Sequence, residues 1–175
     1  KAGQSFRGRT WYFAEGSQGF FDTYFLLANP TGAQSTATVE AFLEDGTAAF
    51  SQQYVVAAFS RRTIPVNQIP ALQNQSFWTR ITFSENGVAE RAMYFGTPVF
   101  NAGHEASAVN ATSTFWLHAE GATGTFFTTF VLLANPNDVP ANVTTTYFPA
   151  DGTPVSVPHV LGPRTRTTIN IALEH

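Results

Sequence analysis

The chain has 175 residues, of which 12% are charged and 14% are aromatic, and it contains no cysteine. Nine cationic residues and a formal net charge of −3 do not supply the basic stripe that nucleic-acid binding needs, and the lack of cysteine excludes disulfides and thiolate metal sites. At 43% hydrophobic residues the chain can fold around a core, but no apolar run approaches the ~18 residues of a membrane helix.

Alternating apolar and polar residues between turn signals predict a β-rich first half. Seven strands are expected, near residues 10–14, 22–29, 36–43, 48–56, 60–66, 76–84 and 87–95. Asp45-Gly46 and Asn86-Gly87 are predicted hairpin turns, because glycine supplies a positive φ. Asn29-Pro30 ends the second strand, since proline has no N–H for the ladder. The one helical candidate is short and lies around Gln68–Gln73.

The second half of the chain repeats the first. Trp11–Pro30 reads WYFAEGSQGFFDTYFLLANP and Trp116–Pro136 reads WLHAEGATGTFFTTFVLLANP, a spacing of 105 residues that becomes 106 after the inserted Thr125. Five further strands are expected, near residues 114–119, 127–135, 142–148, 153–161 and 165–172. Asp151-Gly152 repeats the Asp-Gly hairpin. Nothing after Ile171 corresponds to the last two strands of the first copy, so one complete and one truncated copy are expected.

These patterns predict an all-β fold, an immunoglobulin-like antiparallel β-sandwich in tandem repeat. The expected boundaries are a complete repeat at 1–96, a linker at 97–113 and a partial second repeat at 114–172. Leu173-Glu174-His175 resembles the start of a polyhistidine tag, so residues 173–175 are assigned to a tag remnant.

An open sheet edge is expected in the second copy, because it lacks two strands. Edges seek partners, so we expect a homodimer through that edge, or capping of it by residues 96–113. A rival layout joins the two five-stranded halves and a central 76–95 hairpin into one larger sandwich.

Several motifs together resemble a tandem repeat family of large exported bacterial proteins, whose pattern is W-Y-L-A-E-G, L-L-L-x-N-P, A-E-R-x-M-Y and a later G-G-H. The matching positions are Trp11, Glu15, Gly16, Asn29, Pro30, Glu90, Arg91, Tyr94, Gly103 and His104. The chain departs from the pattern with Ala102 in place of the first glycine of G-G-H. The resemblance implies export to the cell surface or the extracellular space, and it implies repetition. It implies no catalytic residues and no cofactor.

Glu15 and Glu120 recur in the same A-E-G setting, after a strand and before a loop. One interpretation makes each a ligand-binding carboxylate; the other, which we favour, has it accept backbone N–H bonds or pair with an arginine. Arg91 and Arg80 are candidates for pairing with a glutamate from another strand. The histidines lack the spacing of metal ligands, so no metal site and no catalytic site are predicted.

Most aromatic residues lie in alternating strands and are expected in the core, with Tyr12, Tyr54 and Trp78 as the exposed exceptions. The leading hypothesis is a non-enzymatic extracellular repeat module that acts as a structural spacer or an adhesion surface, with other repeats of the same array as partners. The alternative is a carbohydrate-binding module in which these three rings stack on a polysaccharide. Neither hypothesis involves nucleic acid or membrane insertion.

Overall fold

The computed structural model of the chain describes residues 5–96, 101–119 and 121–174. The chain divides into two compact units, one formed by Lys1–Leu43 and Ala48–Thr112, the other by Glu44–Thr47 and Ser113–His175. Both consist of antiparallel strands and short 3₁₀ turns, which confirms the all-β prediction. No helix among the described residues is long and apolar enough to cross a membrane.

The first unit is one curled antiparallel sheet of seven strands. The strands are β1 (Gly8–Phe13), β2 (Phe21–Asn29), β3 (Ser35–Leu43), β4 (Ala48–Val56), β5 (Ser60–Pro65), β6 (Phe77–Phe95) and β7 (Ala102–Ser107). Two 3₁₀ helices, Val66–Gln68 and Pro70–Leu72, fall where the short helical candidate was expected. The sheet curls because one strand, β6, belongs to both of its halves.

The long strand β6 organises the first unit. Its N-terminal part, Phe77–Phe83, pairs with β3 and β1, and its C-terminal part, Val88–Phe95, pairs with β2 and β7. The predicted hairpin at Asn86-Gly87 is therefore wrong, because the strand continues through these two residues. Gly87 lies outside the left-handed region and instead makes room for a ring, since a Cβ there would lie 2.6 Å from Phe83.

Side chains from β1 to β6 meet in one apolar core. Trp11, Phe25, Val39 and Ile81 are completely buried in it, in the alternation that the strand patterns predict. The indole Nε1 of Trp11 donates to the carbonyl of Gly87 at 3.1 Å, so the buried ring keeps its polar atom satisfied.

Strands β6 and β7 correct two expectations about residues 76–113. Residues 102–107, predicted as linker, pair with the C-terminal part of β6 and belong to the first unit. Their strand partner in the described part of the chain is β6. The central 76–95 hairpin of the rival layout is also wrong, because Phe77–Phe95 form one continuous strand. Residues 97–100 of the predicted linker lie outside the described part of the chain.

The second unit contains two separate strand pairs. Strand β8 (Phe130–Ala134) pairs with β11 (Arg166–Asn170), and β9 (Ala141–Tyr147) pairs with β10 (Val155–Leu161); a 3₁₀ helix spans Ile171–Leu173. The strand expected near 114–119 is wrong, because these residues form no strand and are exposed. In the first unit the corresponding strand, β1, is held by β6, and the described part of the second unit has no such strand.

Candidate functional site

Three of the sequence motifs meet at one place in the first unit. Glu15 follows β1, Arg91 lies in the C-terminal part of β6, and His104 lies in β7. Arg91 pairs in register with Ala106 and His104 with Met93, so the pairing of β6 with β7 brings the guanidinium and the imidazole together. These three residues form the Glu15–Arg91–His104 cluster.

A charge-assisted fork holds the cluster together. The Arg91 guanidinium donates from Nη1 to the backbone carbonyl of Glu15 and from Nη2 to its carboxylate Oε2, the latter at 2.6 Å. His104 lies beside this fork, with Nδ1 3.5 Å from Arg91 Nη2 and Nε2 3.7 Å from Glu15 Oε2. Glu15 therefore pairs with an arginine, which is the interpretation that the sequence favoured.

The three side chains of the cluster differ in how far they are exposed to solvent. Arg91 is 2% exposed and His104 is 45% exposed, with Glu15 between them at 29%. Burial lowers the pKa of the Arg91 guanidinium, and the Glu15 carboxylate opposes that shift. The Nε of Arg91 has no hydrogen-bond partner among the described residues. The arginine thus fixes the loop after β1, and only the imidazole and part of the carboxylate reach solvent.

A second set of polar contacts holds the same loop. The side chain of Gln18, which is buried, donates to Asp22 at 3.1 Å and accepts from the backbone N–H of Thr23 at 3.1 Å. The Thr23 hydroxyl donates to the carbonyl of Ser17. Residues 15–18 are therefore fixed to β2 and β6 by side chains. Among the described residues, no group of three His, Cys, Asp or Glu could hold a metal ion.

The aromatic residues predicted as a platform do not share a face. Trp78 is 1% exposed and stacks on Phe42 with ring centroids 4.3 Å apart, so its predicted exposure is wrong. Tyr54 pairs with Ala37 and packs against the core, whereas Tyr12 alternates with the buried Trp11 and faces away from it. Both tyrosines are half-buried. Glu120 lies outside the described residues.

Two pairs of adjacent phenylalanines, each with an exposed first ring that the alternation patterns did not predict, occur at matching positions of the two units. Phe20 is 74% exposed and meets Phe21 edge-on at 4.9 Å; Phe126 is 86% exposed and meets Phe127 edge-on at 4.8 Å. Phe20 also stacks on Phe95 at 5.7 Å. The signal that could have found them is the FF dipeptide, which lies at the start of β2 in the first copy and three residues before β8 in the second.

Two buried asparagines make contacts that the sequence patterns did not reveal. The Asn29 amide donates to the carbonyls of Ala33, Val56 and Ala57, at 2.8 to 3.1 Å. Its own oxygen accepts from the backbone and hydroxyl of Thr31. The Asn-Pro dipeptide was predicted only to end a strand, but its asparagine also fastens that strand end to the end of β4.

The same contacts recur at Asn135. Its amide donates to the carbonyls of Val139, Leu161 and Gly162, at 2.8 to 3.5 Å, and its oxygen accepts from Asn137. Both asparagines are buried. Each unit therefore uses one asparagine to hold together the ends of two neighbouring strands.

No family model and no curated protein matches the chain. Its fold is similar to the crystal structure of Thermotoga maritima 1070, at 9% identity and a TM-score of 0.52, covering 58% of this chain and 93% of that one. The Anabaena sensory rhodopsin transducer is similar at 15% identity and a TM-score of 0.43, covering 51% of this chain and 99% of that one. At such identities a likeness concerns the fold alone, and the second is too weak to carry an argument.

Proposed function

We propose that the chain is a non-enzymatic module of an exported bacterial protein, built from tandem immunoglobulin-like β-sandwich repeats, that acts as a structural spacer or an adhesion surface. The observation that carries the proposal is the strand register. In the first unit Ala28 pairs with Arg61 and Ala37 with Tyr54. In the second unit Ala134 pairs with Arg166 and Val143 with His159.

Those pairs are related by the spacings found in the sequence. Positions before the Asp-Gly hairpin differ by 106 residues and positions after it by 105, which supports one supersecondary unit used twice. The asparagine contacts follow the same spacing, since Asn29 corresponds to Asn135. Repeated units need no catalytic site to be useful, because weak contacts in each unit add through multivalency.

The adhesion surface that we propose is the exposed phenylalanine pair of each unit. Large exposed aromatic groups mark interaction sites more often than scattered apolar residues do. The pairs at Phe20-Phe21 and Phe126-Phe127 are the strongest candidates because both copies keep the first ring exposed, although Phe21 itself is half-buried. The carbohydrate-binding alternative was tied to Tyr12, Tyr54 and Trp78, and the three rings share no face that a sugar chain could stack on.

Beads coated with the full chain test the proposal against panels of glycans, envelope proteins and bacterial cells. For an adhesion surface, Phe20→Ser and Phe126→Ser should each weaken bead adhesion, and the double variant should weaken it further. Phe59→Ser, at an equally exposed phenylalanine outside the pairs, should leave adhesion unchanged.

A spacer makes a different prediction for the same beads. It would show no adhesion in any variant but would extend in discrete unfolding steps when pulled. Turnover of a substrate by the purified chain would overturn the proposal, and adhesion indifferent to both phenylalanine pairs would remove the proposed surface.

A further inference from the structure

In the first unit, strand β6 lies between the strand pairs β2–β5 and β3–β4. Strand β2 is bound on one side by β5 and on the other by the C-terminal part of β6. Strand β3 is bound on one side by β4 and on the other by the N-terminal part of β6. One continuous strand thus fills both inner edges, and the core closes around it.

The second unit has the same two strand pairs without that strand. Among the described residues, β8 has only β11 as a strand neighbour and β9 has only β10. The edges that correspond to the β6-facing edges of β2 and β3 therefore have no described strand beside them. These two edges of β8 and β9 are called the open slot.

Burial at matching positions agrees with an open slot. Phe25, Leu27 and Ala37 face the core of the first unit and are completely buried or nearly so. Their counterparts in the second unit, Val131, Leu133 and Val143, are only half-buried. These apolar side chains thus remain in partial contact with water. Their burial by an added strand would be favourable, because removing apolar surface from water lowers the free energy.

We propose that the open slot of the second unit binds an extended strand with the sequence pattern of β6, supplied by a polypeptide other than a second copy of this chain. The inference rests on the tandem-repeat part of the proposed function. Its mode is strand addition, in which ladder hydrogen bonds give affinity and alternate side chains give specificity. The occupant is defined by the first unit: Phe77, Ile81 and Phe83 face inward beside β3, and Ala89 and Met93 face inward beside β2.

The test adds a synthetic Ser76–Gly96 peptide to the full chain and follows backbone hydrogen exchange. At a free peptide concentration of ten times Kd, exchange at the open edges of β8 and β9 should slow about tenfold. Exchange in the first unit should not change. A peptide with Ile81→Pro and Ala92→Pro should give no protection, because proline removes ladder N–H groups and disfavours a central strand.

Two chain variants give a matched control. Leu133 and Leu132 are neighbours on β8 and face opposite sides, Leu133 corresponding to the buried Leu27 and Leu132 to Leu26. Leu133→Glu should abolish peptide protection, and Leu132→Glu should preserve it. If Leu133→Glu unfolds the second unit, the proline peptide still tests the proposal on the unchanged chain.

The proposal is overturned if the peptide leaves exchange at β8 and β9 unchanged, or if protection appears at the edges of β4 and β5 instead. Protection of β8 and β9 in the chain alone that disappears on dilution would assign the slot to a second copy, and would also overturn it. The bead adhesion experiment uses the exposed phenylalanines and does not need the slot, so the two proposals can fail separately.

Discussion

Buried polar side chains hold the ends of the strands together, and Asn29 is the clearest example. Its amide group donates to the backbone carbonyls of Ala33, Val56 and Ala57, and the contact with Val56 is buried. An alanine would remove the amide from all three carbonyls and leave the Thr31 N–H without its acceptor, and losing one partner of a buried hydrogen bond costs more than the net value of the bond itself.

We therefore expect Asn29→Ala to lower the free energy of unfolding of the first unit by about 2 to 3 kcal/mol. Urea unfolding followed by the fluorescence of Trp11 and Trp78 measures it. Asn67→Ala, at an exposed position, is the control and should change stability by less than about 0.5 kcal/mol. Equal effects of the two substitutions would contradict the anchoring role.

The Glu15–Arg91–His104 cluster makes a second prediction. Glu15→Ala should destabilise the first unit by about 3 kcal/mol, because it leaves the buried Arg91 guanidinium without its carboxylate. Glu15→Gln should cost less, since the amide oxygen still accepts from Nη2. The double variant Glu15→Ala with Arg91→Met should recover part of the loss in the same urea measurement, and no recovery would argue against a paired charge.

Sequence reasoning reached this cluster only in part. The A-E-G and A-E-R motifs identified Glu15 and Arg91, and pairing of a glutamate with an arginine was one of the alternatives weighed. The meeting with His104 could not be predicted, because it depends on β7 lying beside β6 and the strand at 102–107 was not recognised. Trp78 was misplaced for a related reason: alternation gives the face of a strand but not what covers that face.

Strands are where sequence patterns succeeded best. The observed β2 to β5 begin and end within one residue of expectation, because Pro30 and the Asp45-Gly46 turn mark their limits. Strand β6 was divided at Asn86-Gly87, since that dipeptide is a strong hairpin signal. Gly87 is needed because a side chain there would overlap the Phe83 ring, and not because the backbone has a positive φ. Only the packing of Phe83 reveals this difference.

Substitutions at residues 86 and 87 distinguish the two uses of the dipeptide. Gly87→Ala should destabilise the first unit by about 1 to 3 kcal/mol, because the new methyl overlaps the Phe83 ring. Asn86→Ala should be nearly neutral, since Asn86 is exposed within a continuous strand. A hairpin would instead make Asn86→Ala costly, and thermal unfolding of both variants decides between them.

The edges of β4 and β5 approach each other through one side chain. Arg62 of β5 donates to the carbonyl of Val55 at 3.1 Å, and its guanidinium lies 5.0 Å from the centre of the Tyr54 ring. Burial raises the pKa of the Tyr54 phenol above 10.0, and the Arg62 charge opposes that shift. Arg62 thus connects β5 to β4 through its side chain.

The burial of Tyr54 predicts a pH dependence. Because the folded-state pKa of Tyr54 is raised, its contribution to stability is complete below the unfolded value of 10.0 and is lost as pH rises above it. Tyr54→Phe should therefore flatten the fall in stability above pH 10, measured by urea unfolding at a series of pH values. Tyr147→Phe is the comparison in the second unit, where burial and the Glu174 hydrogen bond also raise the phenol pKa.

At the scale of the whole molecule, the two units differ in how completely their apolar residues are covered. The first unit buries a core drawn from six strands, and the described strands of the second unit form two separate pairs. Composition alone could not predict that difference, because both halves share the same alternation, whereas the comparison of the two copies predicted an open edge from the missing counterpart of residues 76–95. It depends on whether a strand lies between the pairs.

Hydrogen exchange of the chain alone should show the difference directly. We expect the slowest amides in β6 and its neighbours β2 and β3, and faster exchange in β8 and β9, because local opening costs least where few buried contacts must break. Equal protection in both units would contradict the difference in burial. Mass spectrometry of peptic fragments separates the two regions.

The position of β6 late in its unit also sets the order in which the unit can form. A nascent chain that has emerged only as far as Pro65 can pair β2 with β5 and β3 with β4, but it cannot yet join the two pairs. Joining waits for residues 77–95, so the slow, non-local step comes last and the half-formed sheets stay exposed until then. The described strands of the second unit have this same arrangement, and they offer a view of a stage that the first unit passes through during synthesis.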